Sequence, residues 1–129
     1  MFETGLTATF TAEHVMPGLP PPEGELHTHD YRVEVIASRS ELDDRGMVCD
    51  LDLLESVVAR AVREIEGKNL EVIRPAAAEA VTVELLARWF HEKVCEALSG
   101  SGVTELGVRA WESALAFGGY AGPVERSSS

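Results

Sequence analysis

Residues 17–24, PGLPPPEG, hold four prolines. Proline offers no N–H to a strand ladder and breaks a helix, so this stretch reads as a loop. An alternating run lies on each side of it. In residues 5–15, Leu6, Ala8, Phe10, Ala12 and His14 fall on one face, and Thr7, Thr9, Thr11 and Glu13 fall on the other. In residues 27–37, His27, His29, Tyr31, Val33, Val35 and Ala37 share a face. A period of two rich in threonine and valine is the signature of a half-buried strand. Two such runs around one loop read as an antiparallel pair, and that pairing limits what the remaining chain can build.

Beyond a polar turn region at 39–46 (RSELDDRG), the period changes. Leu51, Leu54, Val57, Val58, Ala61, Val62 and Ile65 form a stripe at helical spacing, opened by Asp50 or Asp52 and stopped at Gly67. A second helix is expected to open at 75–79, with Leu86, Trp89, Phe90, Val94, Ala97 and Leu98 in its stripe and SGSG at 99–102 as its end. Residues 103–111 alternate again, placing Leu106, Val108, Ala110 and Glu112 on one face, and 117–124 read as a short last strand. The order is ββααββ, an α+β domain over residues 1–124. Residues 125–129 read as a disordered tail.

The chain has 129 residues, 45% of them hydrophobic, enough to bury a core. Its net charge of −11 argues against nucleic acid and anionic membrane surfaces as partners. Two cysteines, Cys49 and Cys95, are too few for a disulfide framework. No basic leader precedes an apolar segment, and no apolar run is long enough to span a bilayer. The expectation is a cytoplasmic protein.

His27 and His29 project together from one strand, and His14 ends the neighbouring strand on the same face. Three imidazoles with an open fourth position form the donor set of a catalytic zinc site. The plainer alternative is a group of partly exposed histidines beside a loop. His91 and Cys95 lie four apart on the second helix and share a face. They read as a solvent-facing pair, with a metal or proton-transfer site as the alternative. Cys49 reads as a small core residue.

Together, FTAEHV, HTHDYRVEV, GMVCDLDLLE, WES and GGY resemble the 6-pyruvoyl-tetrahydropterin synthase and 6-carboxytetrahydropterin synthase family, from about Thr7 to Tyr120. The resemblance implies a T-fold, a four-stranded antiparallel sheet with two helices on one face, assembled as a homotrimer or homohexamer. It implies zinc held by His14, His27 and His29, a small-molecule pterin substrate, and Glu112 as the carboxylate that anchors the pterin ring. Read without it, Glu112 is an exposed residue at a strand end.

Two positions depart from the family pattern. The family carries a catalytic cysteine shortly before the paired histidines, where this chain has Glu23 and Glu25. Some members use a glutamate there, and a carboxylate can serve as a general base. Solvated loop charges are the alternative. The family also places an aspartate–histidine pair after the first helix. Here Glu66 stands for the aspartate and Gly67 replaces the proton-relaying histidine. The resemblance therefore implies a zinc-dependent pterin lyase with Glu23, Glu25 and Glu66 as catalytic candidates. The competing expectation is a non-catalytic pterin- or metal-binding oligomer.

Overall fold

A computed structural model describes residues 1–125. Strands β1 (Phe2–His14) and β2 (His27–Arg39) are followed by helix α1 (Leu51–Ile65), a short 3-10 turn at Leu70–Ile73, helix α2 (Val83–Leu98) and strands β3 (Glu105–Trp111) and β4 (Phe117–Pro123). The strands form one antiparallel sheet in the order β1-β2-β3-β4. Of the tail expected at 125–129, residues 126–129 lie outside the described residues. The Glu125 carboxylate accepts from Ser99 Oγ and the Gly100 N–H.

The alternation sets the sheet's buried face. Phe10, Ala12, Tyr31, Val33, Val35, Ala37, Leu106, Val108 and Ala110 line its inner side. Against them pack Leu54, Val57, Val58, Ala61, Val62 and Ile65 of α1 and Leu86, Ala87, Phe90, Val94 and Leu98 of α2. Burying one such side chain contributes about 1.5–3 kcal/mol. Phe10 marks the layer boundary, its ring centroid 5.5 Å from that of Tyr31 and 5.8 Å from that of Phe90.

Asp50 caps α1 by accepting from the Asp52 N–H. The second helix begins later than its apolar spacing suggests. Thr82 caps it through the Leu85 N–H, while residues 75–82 run irregularly and Arg74 donates to the Ala78 carbonyl. A capping hydroxyl satisfies an orphan N–H that the alanine run at 76–78 cannot, and this decides the start.

After α1 the chain doubles back along the outer edge of β1. Gly67 N–H donates to the Thr11 carbonyl, and Glu13 N–H to the Lys68 carbonyl, with a parallel bridge between Glu13 and Asn69. Gly67 has φ +72°, a left-handed conformation that glycine adopts without steric cost.

Candidate functional site

The β1–β2 register brings the histidines together. His14 pairs with His27 and Ala12 with His29, so all three imidazoles stand on the inner face at one end of the sheet. Ring centroids lie 5.7 Å apart for His14 and His27, 6.2 Å for His14 and His29, and 4.5 Å for His27 and His29. One nitrogen from each ring falls within 4.8 Å of the others. Ligand atoms on a tetrahedral zinc stand roughly 3.3 Å apart, from Zn–N bonds of about 2.0–2.1 Å. His27 Nε2 and His29 Nε2 are 2.8 Å apart, so these rings need to part by only about 0.5 Å to reach that spacing.

The tautomer also suits a metal. His27 Nδ1 donates to the Glu25 carbonyl at 2.7 Å, which leaves the Nε2 lone pair aimed into the cluster. His14 is 5% exposed, and neither ring nitrogen makes a hydrogen bond. Burial pushes its pKa below the ordinary value, and the neighbouring His27 and His29 act in the same direction. The Val81 backbone carbonyl and the Glu112 carboxylate act in the opposite direction, the former short of good hydrogen-bond geometry. A buried polar group without a partner is costly. A cation shared by three neutral imidazoles would relieve that cost, so the donor set fits zinc.

Glu112 follows the last residue of β3, where the register continues opposite Tyr31. It is exposed, and it shares a cleft of about 250 Å³ with His29, Val83, Ser113, Ala116 and Phe117. The cleft therefore runs from the histidine cluster to the carboxylate. Tyr31 lies behind it, its ring edge-on to His29 at 5.7 Å and its hydroxyl buried without a partner. Burial, and then the Glu112 charge, raise the Tyr31 pKa. Reasoning from the sequence put Tyr31 on the histidine face but assigned it no part in the site. Its signal was the same alternation that flagged the histidines.

Glu23, Glu25 and Glu66 are all exposed. Glu25 reaches the cluster through its backbone carbonyl, and the Glu23 carbonyl accepts from the Met16 N–H across the loop. Glu66 is the C-cap of α1, and its N–H donates to the Val62 carbonyl. A Cβ built on Gly67 meets nothing within 4 Å. The structure thus brings His14, His27, His29 and Glu112 together, whereas the side chains of Glu23, Glu25 and Glu66 are exposed and none of them lines the cleft. Cys49 lies in the core, where burial, and then Asp50 and Asp43, push its thiol pKa up. The expectation of a solvent-facing His91–Cys95 pair is overturned, because both residues are buried and face β4.

A four-stranded antiparallel sheet with two helices on one face and a strand-borne histidine cluster defines a T-fold protein. The chain belongs to the 6-pyruvoyl tetrahydropterin synthase family, whose sequence profile matches residues 5–122. It is 30% identical over 109 residues to a Pyrococcus horikoshii protein described as "Putative 6-carboxy-5,6,7,8-tetrahydropterin synthase", covering 67% of this chain and 68% of that protein. Its fold matches Caenorhabditis elegans 6-pyruvoyl tetrahydropterin synthase with a TM-score of 0.72 at 22% identity, over 94% of this chain and 95% of that one. It also matches Plasmodium vivax 6-pyruvoyltetrahydropterin synthase, in a variant whose catalytic glutamate is replaced by alanine. That match has a TM-score of 0.74 at 13% identity, over 95% of this chain and 99% of the other. Among the described residues, no helix is long and apolar enough to cross a membrane.

Proposed function

We propose that the chain is a zinc-dependent lyase acting on the side chain of a dihydropterin. The observation that carries this reading is the convergence of His14, His27 and His29 within 4.8 Å, at the end of a cleft that Glu112 also lines. A zinc ion held by the three histidines supplies polarisation of a side-chain hydroxyl or carbonyl oxygen. Glu112 accepts two parallel N–H bonds from the amino-pyrimidine edge of the ring and so fixes where the side chain falls. Glu25 or Glu23 moves protons at the side-chain carbons; a glutamate is a catalytic residue in the Plasmodium vivax relative. Glu66 contributes the carboxylate beside the relay position.

With Gly67 at that position, conversion of dihydroneopterin triphosphate to 6-pyruvoyl-tetrahydropterin is expected to be slow, and carbon–carbon cleavage of the side chain is favoured. A second reading, a pterin- or metal-binding protein without turnover, is supported by the open space beside Gly67. Metal content of the purified protein, with product assays on dihydroneopterin triphosphate and dihydroneopterin, separates the two. Metal with no product from either substrate rejects the lyase.

The proposed assembly is a homotrimer or homohexamer, since β4 and much of β1 present open edges. The proposed setting is the cytoplasm, where Cys49 and Cys95 remain reduced.

A further inference from the structure

Tyr31 is 2% exposed, and its hydroxyl is buried without a hydrogen-bond partner. Its ring stacks on Phe10 and meets His29 edge-on. A phenylalanine would keep both contacts and avoid burying an unpaired hydroxyl, which is costly. Packing therefore accounts for the ring and not for the oxygen. A phenol is protonated at neutral pH, so the oxygen calls for an acceptor.

The strand register supplies one. Arg32 pairs with Trp111, and one step further sets Glu112 opposite Tyr31, both on the inner face. Residues directly opposed across strands have Cβ atoms about 4.5–5.5 Å apart, so the two side chains are neighbours. Glu112 is also the charge that acts on the phenol. Among the described residues, no hydrogen bond or salt bridge holds its carboxylate. The carboxylate is exposed and turns freely about its own torsions. A buried donor without an acceptor thus stands opposite an acceptor without a donor.

We propose that Tyr31 is a positioning residue for the pterin ring: its hydroxyl donates to the Glu112 carboxylate when the ring is bound, and fixes the rotamer that presents both carboxylate oxygens to the ring edge. This role rests on the ring-binding role of Glu112 given above. A carboxylate has about four lone-pair sites, so two parallel N–H bonds from the ring leave room for a third donor. The ring also displaces water from the carboxylate, and a charge-assisted bond strengthens as the site dries.

Unsubstituted pterin tests this, because it carries the ring edge and has no side chain to cleave. Calorimetry on the zinc-loaded full-length protein should show that Tyr31→Phe weakens pterin binding at least about tenfold, the scale of a hydrogen bond to a charged group. Zinc content should not change. The melting temperature of the pterin-free variant should equal or exceed that of the wild type, since the lost hydroxyl is unpaired there. Added to Glu112→Ala, the same substitution should change affinity less than about twofold, because the acceptor is gone. Equal affinity of wild type and Tyr31→Phe, with Glu112→Ala impaired, overturns this role and leaves the ring-binding role of Glu112 standing. So does a tenfold loss that persists in the Glu112→Ala background, or a lowered melting temperature with lost zinc. Wild-type protein that binds zinc and no pterin overturns both roles.

Discussion

His14 and His27 stand directly opposite each other on adjacent antiparallel strands, and their rings meet edge-on at 5.7 Å. His29 is one inward-facing position further along β2, so the cluster depends on a single register. A one-residue slip would turn His27 and His29 to the other face of the sheet.

The first prediction follows from that geometry. His27→Ala removes the ligand whose tautomer the Glu25 carbonyl fixes, and two histidines alone make a poor zinc site. Elemental analysis should find the zinc of the histidine cluster in the wild type and its loss from the variant. Full retention in the variant would show that the metal sits elsewhere.

His14 makes the metal-free protein sensitive to acid. Burial holds its pKa below the ordinary 6.5, so the folded chain takes up a proton less readily than the unfolded chain. Stability from this residue is full above about pH 6.5 and declines as pH falls below it, levelling once the folded-state ring protonates. Urea midpoints of metal-free wild type and His14→Gln should converge or cross as pH drops from about 7 to about 5, since only the wild type carries this cost. Parallel profiles would remove His14 as a titrating group.

Glu112→Gln preserves shape and removes charge. Pterin affinity should fall by about 1.5–3 kcal/mol, the scale of a hydrogen bond to a charged group. Calorimetry giving equal affinity for both forms would take Glu112 out of the ring-binding role.

Turnover should depend on one loop carboxylate. Removing a general base costs about 10²–10⁴ in rate. Glu25→Gln or Glu23→Gln should show that loss in a chromatographic product assay, with zinc content unchanged. Gly67→His adds an imidazole into open space but forces it into a left-handed backbone, costing roughly 1–2 kcal/mol in stability. If neither glutamine variant slows a measurable wild-type rate, the base lies elsewhere.

Much of the sheet was legible because alternation encodes a face directly. His14, His27, His29 and Tyr31 were placed on the correct side by counting in twos. The start of α2 was not, because apolar spacing cannot distinguish a helix from the irregular segment before it, and the Thr82 cap decided that boundary. The orientation of His91 and Cys95 was misread for a related reason. Spacing put them on one face of α2, but not on the face covered by β4, whose glycines leave room for the imidazole against Gly122. The Glu25 contribution was hidden as well, since a backbone carbonyl leaves no trace in residue type.

The chain order of the ligands bears on how the protein assembles. All three histidines belong to the β1–β2 hairpin, within residues 14–29, whereas Glu112 arrives only when β3 joins across the whole helical segment. Local pairings close before distant ones because the entropic cost of loop closure grows with separation. A zinc ion bound by these three histidines, as proposed above, would therefore need only the hairpin, and it would act as a clasp before β3 and β4 have paired. Pulsed hydrogen exchange during refolding should show β1 and β2 amides protected before those of β3, by a wider margin when zinc is present.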